Sequence, residues 1–167
     1  MTRPVLVLVG APGAGKTTVG AAVAARLGFP FRDTDRDIEE AAGRSISDIF
    51  LDDGEPYFRE LERRAVATAL RDHDGVLSVG GGAVLDEATR ALLADHRVVY
   101  LSVGLADAAR RVGLARDRPV LALNPRAQLH QLLEARRPLY ESVAAITVAT
   151  EKRGVDEVVD EVAGHVG

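Results

Sequence analysis

The chain has 167 residues, 47% hydrophobic and 28% charged, the balance of one folded globule rather than a disordered tail or a membrane protein. With 21 basic against 25 acidic side chains its formal charge is −4, so no global field draws it to nucleic acid or an anionic membrane, and any anion site has to be local. The absence of cysteine excludes a disulfide scaffold and any thiolate-held zinc or iron–sulfur cluster, and fits a cytoplasmic protein.

Residues 5–9 form an apolar run that is too short for a signal peptide or a membrane span and predicts a buried strand. It ends in Gly10-Ala11-Pro12-Gly13-Ala14-Gly15-Lys16-Thr17, a full match to G-x-x-x-x-G-K-[ST], with an Ala-rich helix predicted over 19–27. Glycines there let backbone N–H groups converge on phosphate oxygens at a helix N-terminus. Lys16 is placed to reach the β- and γ-phosphates and the Thr17 hydroxyl to ligate Mg²⁺. Lys16 and Lys152 are the only lysines among the 21 basic residues, so a lysine at this position departs from a strong arginine habit.

A second strand is predicted over 29–35, ending Asp33-Thr34-Asp35. An i, i+2 pair on a strand shares a face, and two close carboxylates repel unless a cation or a shared proton separates them. A hydrated Mg²⁺ would satisfy one and a substrate hydroxyl the other. The alternative is a solvated acidic loop, with Asp37 capping a helix over 37–42. After Gly43 a helix is capped by Ser45 with Asp48 three residues on, and Asp53-Gly54 breaks it. Pro56 opens the next helix, to about residue 70, carrying Phe58-Arg59 with Glu62 at i+3 to orient the guanidinium.

A strand over 76–79, containing Ser78, runs into Gly80, Gly81 and Gly82, whose entropic cost favours a need for close approach by a ligand. Ser78 is a candidate to hold metal-bound water. There follow a helix over 87–93 capped by Asp86, a strand over 98–101, a helix over 105–112 and a loop over 116–125 with two prolines. In that loop Arg118 precedes Pro119, placed to close over a transferring phosphoryl group. A helix over 126–136 is expected to stop at Pro138, before a strand over 145–148 and a closing helix over 155–166. The four histidines show no metal spacing, and they, with Arg63, Arg64, Arg71 and Arg90, read as surface groups. The strand–helix alternation makes this an α/β protein, three layers around a parallel sheet, with ligands beyond the carboxyl ends of the strands.

Together the phosphate loop, Asp33-Thr34-Asp35, residues 45–50, Phe58-Arg59 with Glu62, the three glycines, Arg118-Pro119 and Arg136-Arg137-Pro138-Leu139-Tyr140 resemble shikimate kinase, a family of small P-loop kinases akin to the nucleoside-monophosphate kinases. The resemblance spans essentially the whole chain. It implies a five-stranded parallel sheet in the order 2-3-1-4-5 and a P-loop kinase domain over 1–167, with substrate-binding helices at about 36–70 and a lid loop at about 113–125. It implies transfer of the ATP γ-phosphate to the 3-hydroxyl of shikimate, in aromatic amino-acid biosynthesis, with one Mg²⁺ ion. By position, Lys16, Asp35 and Arg118 would be catalytic. Gly13, Ala14, Gly15, Lys16, Thr17, Thr18, Arg111, Arg118 and Arg153 would bind ATP. Asp35, Arg59, Gly80, Gly81, Gly82 and Arg136 would bind shikimate, and Thr17 with Asp33 (through water) would hold the metal. Arg137, adjacent to Arg136, leaves open which of the two faces the substrate. The resemblance also implies a cytoplasmic monomer with ATP and shikimate as partners and neither nucleic acid nor membrane. The competing readings are a kinase of another small hydroxy acid such as gluconate, and an ATP-binding regulator that has lost transfer. The second is disfavoured because Lys16, both aspartates and Arg118 are all present.

Overall fold

The run Leu6–Val9 is wholly buried and alternates its contacts: Val7 and Val9 pack into one hydrophobic cluster, Leu6 and Leu8 into another. A strand buried on both faces is the mark of a parallel sheet covered by helices on each side. The computed structural model describes residues 3–104, 107, 108 and 125–166. Within them β1 (Leu6–Val9), β2 (Phe31–Asp33), β3 (Val76–Ser78), β4 (Val98–Ser102) and β5 (Ile146–Ala149) form one sheet, all pairs parallel, in the order β2-β3-β1-β4-β5. The expected strand order is the observed one.

Helices α1 (Lys16–Leu27) and α7 (Val155–Gly164) cover one face, burying Val19, Val23, Val158 and Val162 against Leu6, Leu8 and Leu101. The other face carries α4 (Glu55–Asp72), α5 (Glu87–Leu93) and α6 (Pro125–Val143), which supply Val66, Leu70, Leu93, Tyr140 and Val143. A smaller core lies outside the sheet. There α2 (Thr34–Ala42), α3 (Ile46–Asp53) and the first turns of α4 bury Ile38, Ile49 and Phe58. Ser45 and Asp86 cap α3 and α5 as expected, accepting from Asp48 N–H at 3.1 Å and Thr89 N–H at 2.9 Å.

Three expectations need correction. The second strand stops at Asp33, so Asp35 stands in the first turn of α2 instead of on a strand. Asp33, not Asp37, is the cap, accepting the Asp35 N–H at 2.9 Å, while Asp37 pairs with Arg32 at 2.6 Å. Pro138 does not end its helix: α6 runs through it to Val143. A proline inside a helix costs about 3 kcal/mol, and burying Tyr140 and Val143 returns about 1.5–3 kcal/mol each, enough to carry the helix past it. Of the groups read as surface, His73 is buried with Nε2 at 3.0 Å from Val76 O, and half-buried Arg90 donates to Val84 O at 2.7 Å. The predicted segment 105–112, apart from helical Asp107 and Ala108, and the loop over 116–125, apart from Pro125, lie outside the described residues.

Candidate active site

Register brings the acidic and phosphate-binding segments together. Ser78 stands opposite Leu8 of β1 and Asp33 of β2, so the ends of three adjacent strands open into one cleft of about 260 Å³. Lys16, Thr17, Thr18, Asp33, Asp35 and Gly81 line it. In the loop after β1, Gly13 and Gly15 sit at φ of +82° and +92°, the left-handed region that favours glycine. The first turn of α1 holds no acidic residue, so the positive end of that helix is left for a ligand's anion. Lys16 Nζ donates to Gly10 O (2.7 Å) and Ala11 O (3.1 Å), which folds the ammonium over the loop's own rim.

Thr17 Oγ1 donates to Asp33 Oδ2 at 2.9 Å, and Asp33 Oδ1 takes the Asp35 N–H. Hydroxyl and carboxylate oxygens at one point, with Ser78 in the same cleft, are the hard donors Mg²⁺ prefers. Among the described residues no three His, Asp or Glu side chains form a metal cage, which suits an ion that keeps its waters and is shared with substrate phosphates. The residues present therefore fit Mg²⁺.

Beyond this the three glycines lie close under neighbouring side chains. None has a positive φ. A Cβ on Gly80 would stand 2.6 Å from Asp35 Oδ1 and 2.7 Å from Glu62 Oε2; on Gly81 it would stand 2.8 Å from Pro12 Cδ; on Gly82 it would run into the Arg59 guanidinium. Arg59 is aimed by Glu62 (2.7 Å) and Glu55 (3.1 Å), with the rings of Phe50 and Phe58 at 5.9 and 5.3 Å. Burial works against its charge, yet Glu62 and Glu55 overcome this and hold the guanidinium above its ordinary pKa. Glu62 is 3% exposed, and burial, with the Asp35 charge adding to it, pushes its carboxyl upward against the opposing pull of Arg59 and Arg136.

Half-buried Arg136 faces inward, its charge felt at Glu62 and at Tyr140, whereas Arg137 is exposed and pairs with Glu134 at 2.5 Å. Arg153 lines a separate slot beside the loop with Ala14, Gly15 and Thr18, and donates to Ala149 O and Glu161, both at 2.8 Å. Arg111 and Arg118 lie outside the described residues. One contact escaped the reading of the sequence: the Tyr140 hydroxyl donates to Gly81 O at 2.6 Å. The sequence places Tyr140 one helical turn beyond Arg136 but carries no signal for its Gly81 partner.

A phosphate loop with its lysine, sharing a cleft with Asp33 and Asp35 at the ends of a 2-3-1-4-5 sheet, with Arg59 packed on the adjoining Gly82, is the arrangement of a P-loop phosphotransferase. The family model for shikimate kinase matches residues 12–166. A shikimate kinase of Frankia casuarinae is 63% identical over 97% of this chain and 72% of its own length. That of Streptomyces avermitilis is 61% identical over 95% and 92%. Among solved structures, shikimate kinase from Acinetobacter baumannii in complex with shikimate superposes with a TM-score of 0.92 at 34% identity, covering 99% of this chain and 93% of that one. The chain belongs to the shikimate kinase family and is an ATP-dependent phosphotransferase.

Proposed function

We propose that this cleft moves the γ-phosphoryl group of ATP to the 3-hydroxyl of shikimate with the residues in the following roles. The loop N–H groups around Gly13, Ala14 and Gly15, with Lys16 and Thr18, hold the phosphates. Lys16 leaves its carbonyls to meet the charge that develops on the transferring group. Thr17, and Asp33 through water, hold one Mg²⁺, which when bound neutralises phosphate charge. Arg59 and Arg136 clamp the carboxylate of shikimate, because two guanidiniums suit a planar anion. Asp35 holds the 3-hydroxyl and takes its proton as that oxygen bonds to phosphorus and the bond to the β-phosphate oxygen breaks, leaving ADP. Arg118, from a lid at about 113–125, closes over the phosphates, and Arg111 and Arg153 flank the base. The chain is read as one kinase domain acting as a cytoplasmic monomer, without nucleic-acid or membrane partners. None of its described helices is long and apolar enough to cross a membrane.

The observation that carries the reading of the acceptor side is the convergence of Asp35, Glu62 and Arg59 on the triglycine turn at the end of β3, next to the phosphate loop. The test is ADP release by purified protein with Mg²⁺ and ATP, comparing shikimate, gluconate, a nucleoside monophosphate and no acceptor. Only shikimate is expected to raise the rate. Equal stimulation by gluconate would overturn the assignment of the acceptor.

A further inference from the structure

The Tyr140 ring is 1% exposed and stacks on Tyr100 at a centroid distance of 5.0 Å. A buried phenol needs a partner, and this one has a backbone carbonyl. Its hydroxyl donates to Gly81 O at 2.6 Å, and the positive charge of Arg136, one turn earlier on the same helix, is felt at the phenol. Burial pushes the phenol up to about 12, with Arg136 only partly opposing it, so the hydroxyl keeps its proton and stays a donor across the working pH range. One oxygen thus links a residue of α6 to the backbone of the turn after β3.

That link has a directional consequence. A trans peptide points its carbonyl oxygen and its N–H to opposite sides. Holding Gly81 O toward α6 therefore turns the Gly82 N–H away from α6. The neighbouring Ala83 N–H is satisfied inside the turn by Gly80 O at 3.1 Å. Glycine peptides rotate more freely than others, so without a tether the Gly81–Gly82 plane would sample several orientations. The mid-helix Pro138 stands between Arg136 and Tyr140, yet the helix continues, which keeps the two side chains one turn apart on the same face.

We propose that Tyr140 is a positioning residue for the acceptor, its hydroxyl fixing the Gly81–Gly82 peptide against the helix that carries Arg136. This rests on the reading above, in which Arg136 and the triglycine turn meet the acceptor. Tyr140→Phe removes the oxygen and keeps the ring. It is expected to raise KM for shikimate about 10-fold, the loss of one hydrogen bond, while kcat and KM for ATP stay within about twofold. The Gly81 carbonyl carbon, labelled with ¹³C, should move upfield in Tyr140→Phe as its hydrogen bond is lost. An unchanged KM for shikimate overturns the proposal, and so does an equal rise in both KM values with a fall in Tm, which marks a purely structural role. Arg136→Ala run alongside separates the two levels: if it too leaves KM for shikimate unchanged, the reading of Arg136 fails, whereas a large effect of Arg136→Ala with none from Tyr140→Phe sinks only the tether.

Discussion

Asp33 and Asp35 stand two positions apart and occupy different environments because β2 ends between them. Asp33 spends one oxygen capping α2 and the other on the Thr17 hydroxyl, while Asp35, a residue of α2 itself, turns toward Gly80 and Glu62. Asp35→Asn should nearly abolish transfer with ATP binding intact, whereas Asp33→Asn should raise the Mg²⁺ concentration needed for half-maximal rate. Steady-state kinetics in a Mg²⁺ titration checks both, and an exchange of the two phenotypes would reverse the roles. The arginine pair divides as cleanly. Truncating one side of a partly desolvated guanidinium–carboxylate pair costs about 2–5 kcal/mol, roughly 30- to several-thousand-fold in kcat/KM. Arg59→Ala and Arg136→Ala should each lose that much toward shikimate with ATP affinity unchanged. Arg137→Ala, on the exposed side of α6, should behave as wild type.

At the scale of elements, α4 belongs to two cores at once. Its first turns place Phe58 with Ile38 and Ile49, and its last turns place Val66, Ala69 and Leu70 under the sheet. Arg59 and Glu62 ride on the first part. Ile49→Ala should cost about 2–5 kcal/mol locally, and native-state hydrogen exchange should show amides of α2 and α3 losing protection while β1 and β4 keep theirs. Uniform loss across the molecule would mean that the two cores open together. The elements also show what the sequence could tell. Strand–helix alternation, the caps at Ser45 and Asp86 and the break at Gly54 were legible because each is local chemistry. The end of β2 was not, because Asp33 is strand residue and helix cap at once, and the passage of α6 through Pro138 was not, because it is decided by partners far along the chain. Asp33 is drawn into a cap while its strand pairs with Ser78, and α6 is held past its proline by Tyr140 against Tyr100 and Gly81. Most candidate site residues were named from motifs. Tyr140 was quoted without a role because its partner, a backbone carbonyl 59 residues away, leaves no trace in spacing.

At the scale of the whole molecule, Glu62 gives stability an unusual slope. Its carboxyl is raised in the folded protein, so the native state holds that proton more firmly than the unfolded chain. The stability this supplies is complete below the ordinary glutamate value of about 4.3 and is lost as pH rises through the folded value. Glu62→Gln lacks this component, so its stability relative to wild type should improve between about pH 4 and pH 7, as read from urea melts. A constant difference across that range would show that burial does not govern this group. The architecture that buries Glu62 has a consequence for how new specificities arise. The phosphate loop is anchored to the sheet, whereas Arg59 and Glu62 of α4 stand beside a small core with its own hydrophobic residues. On the proposed reading, substitutions within residues 34–62 would reshape one wall of the acceptor side, leaving the three glycines, Arg136 and the core under the phosphate loop as inherited.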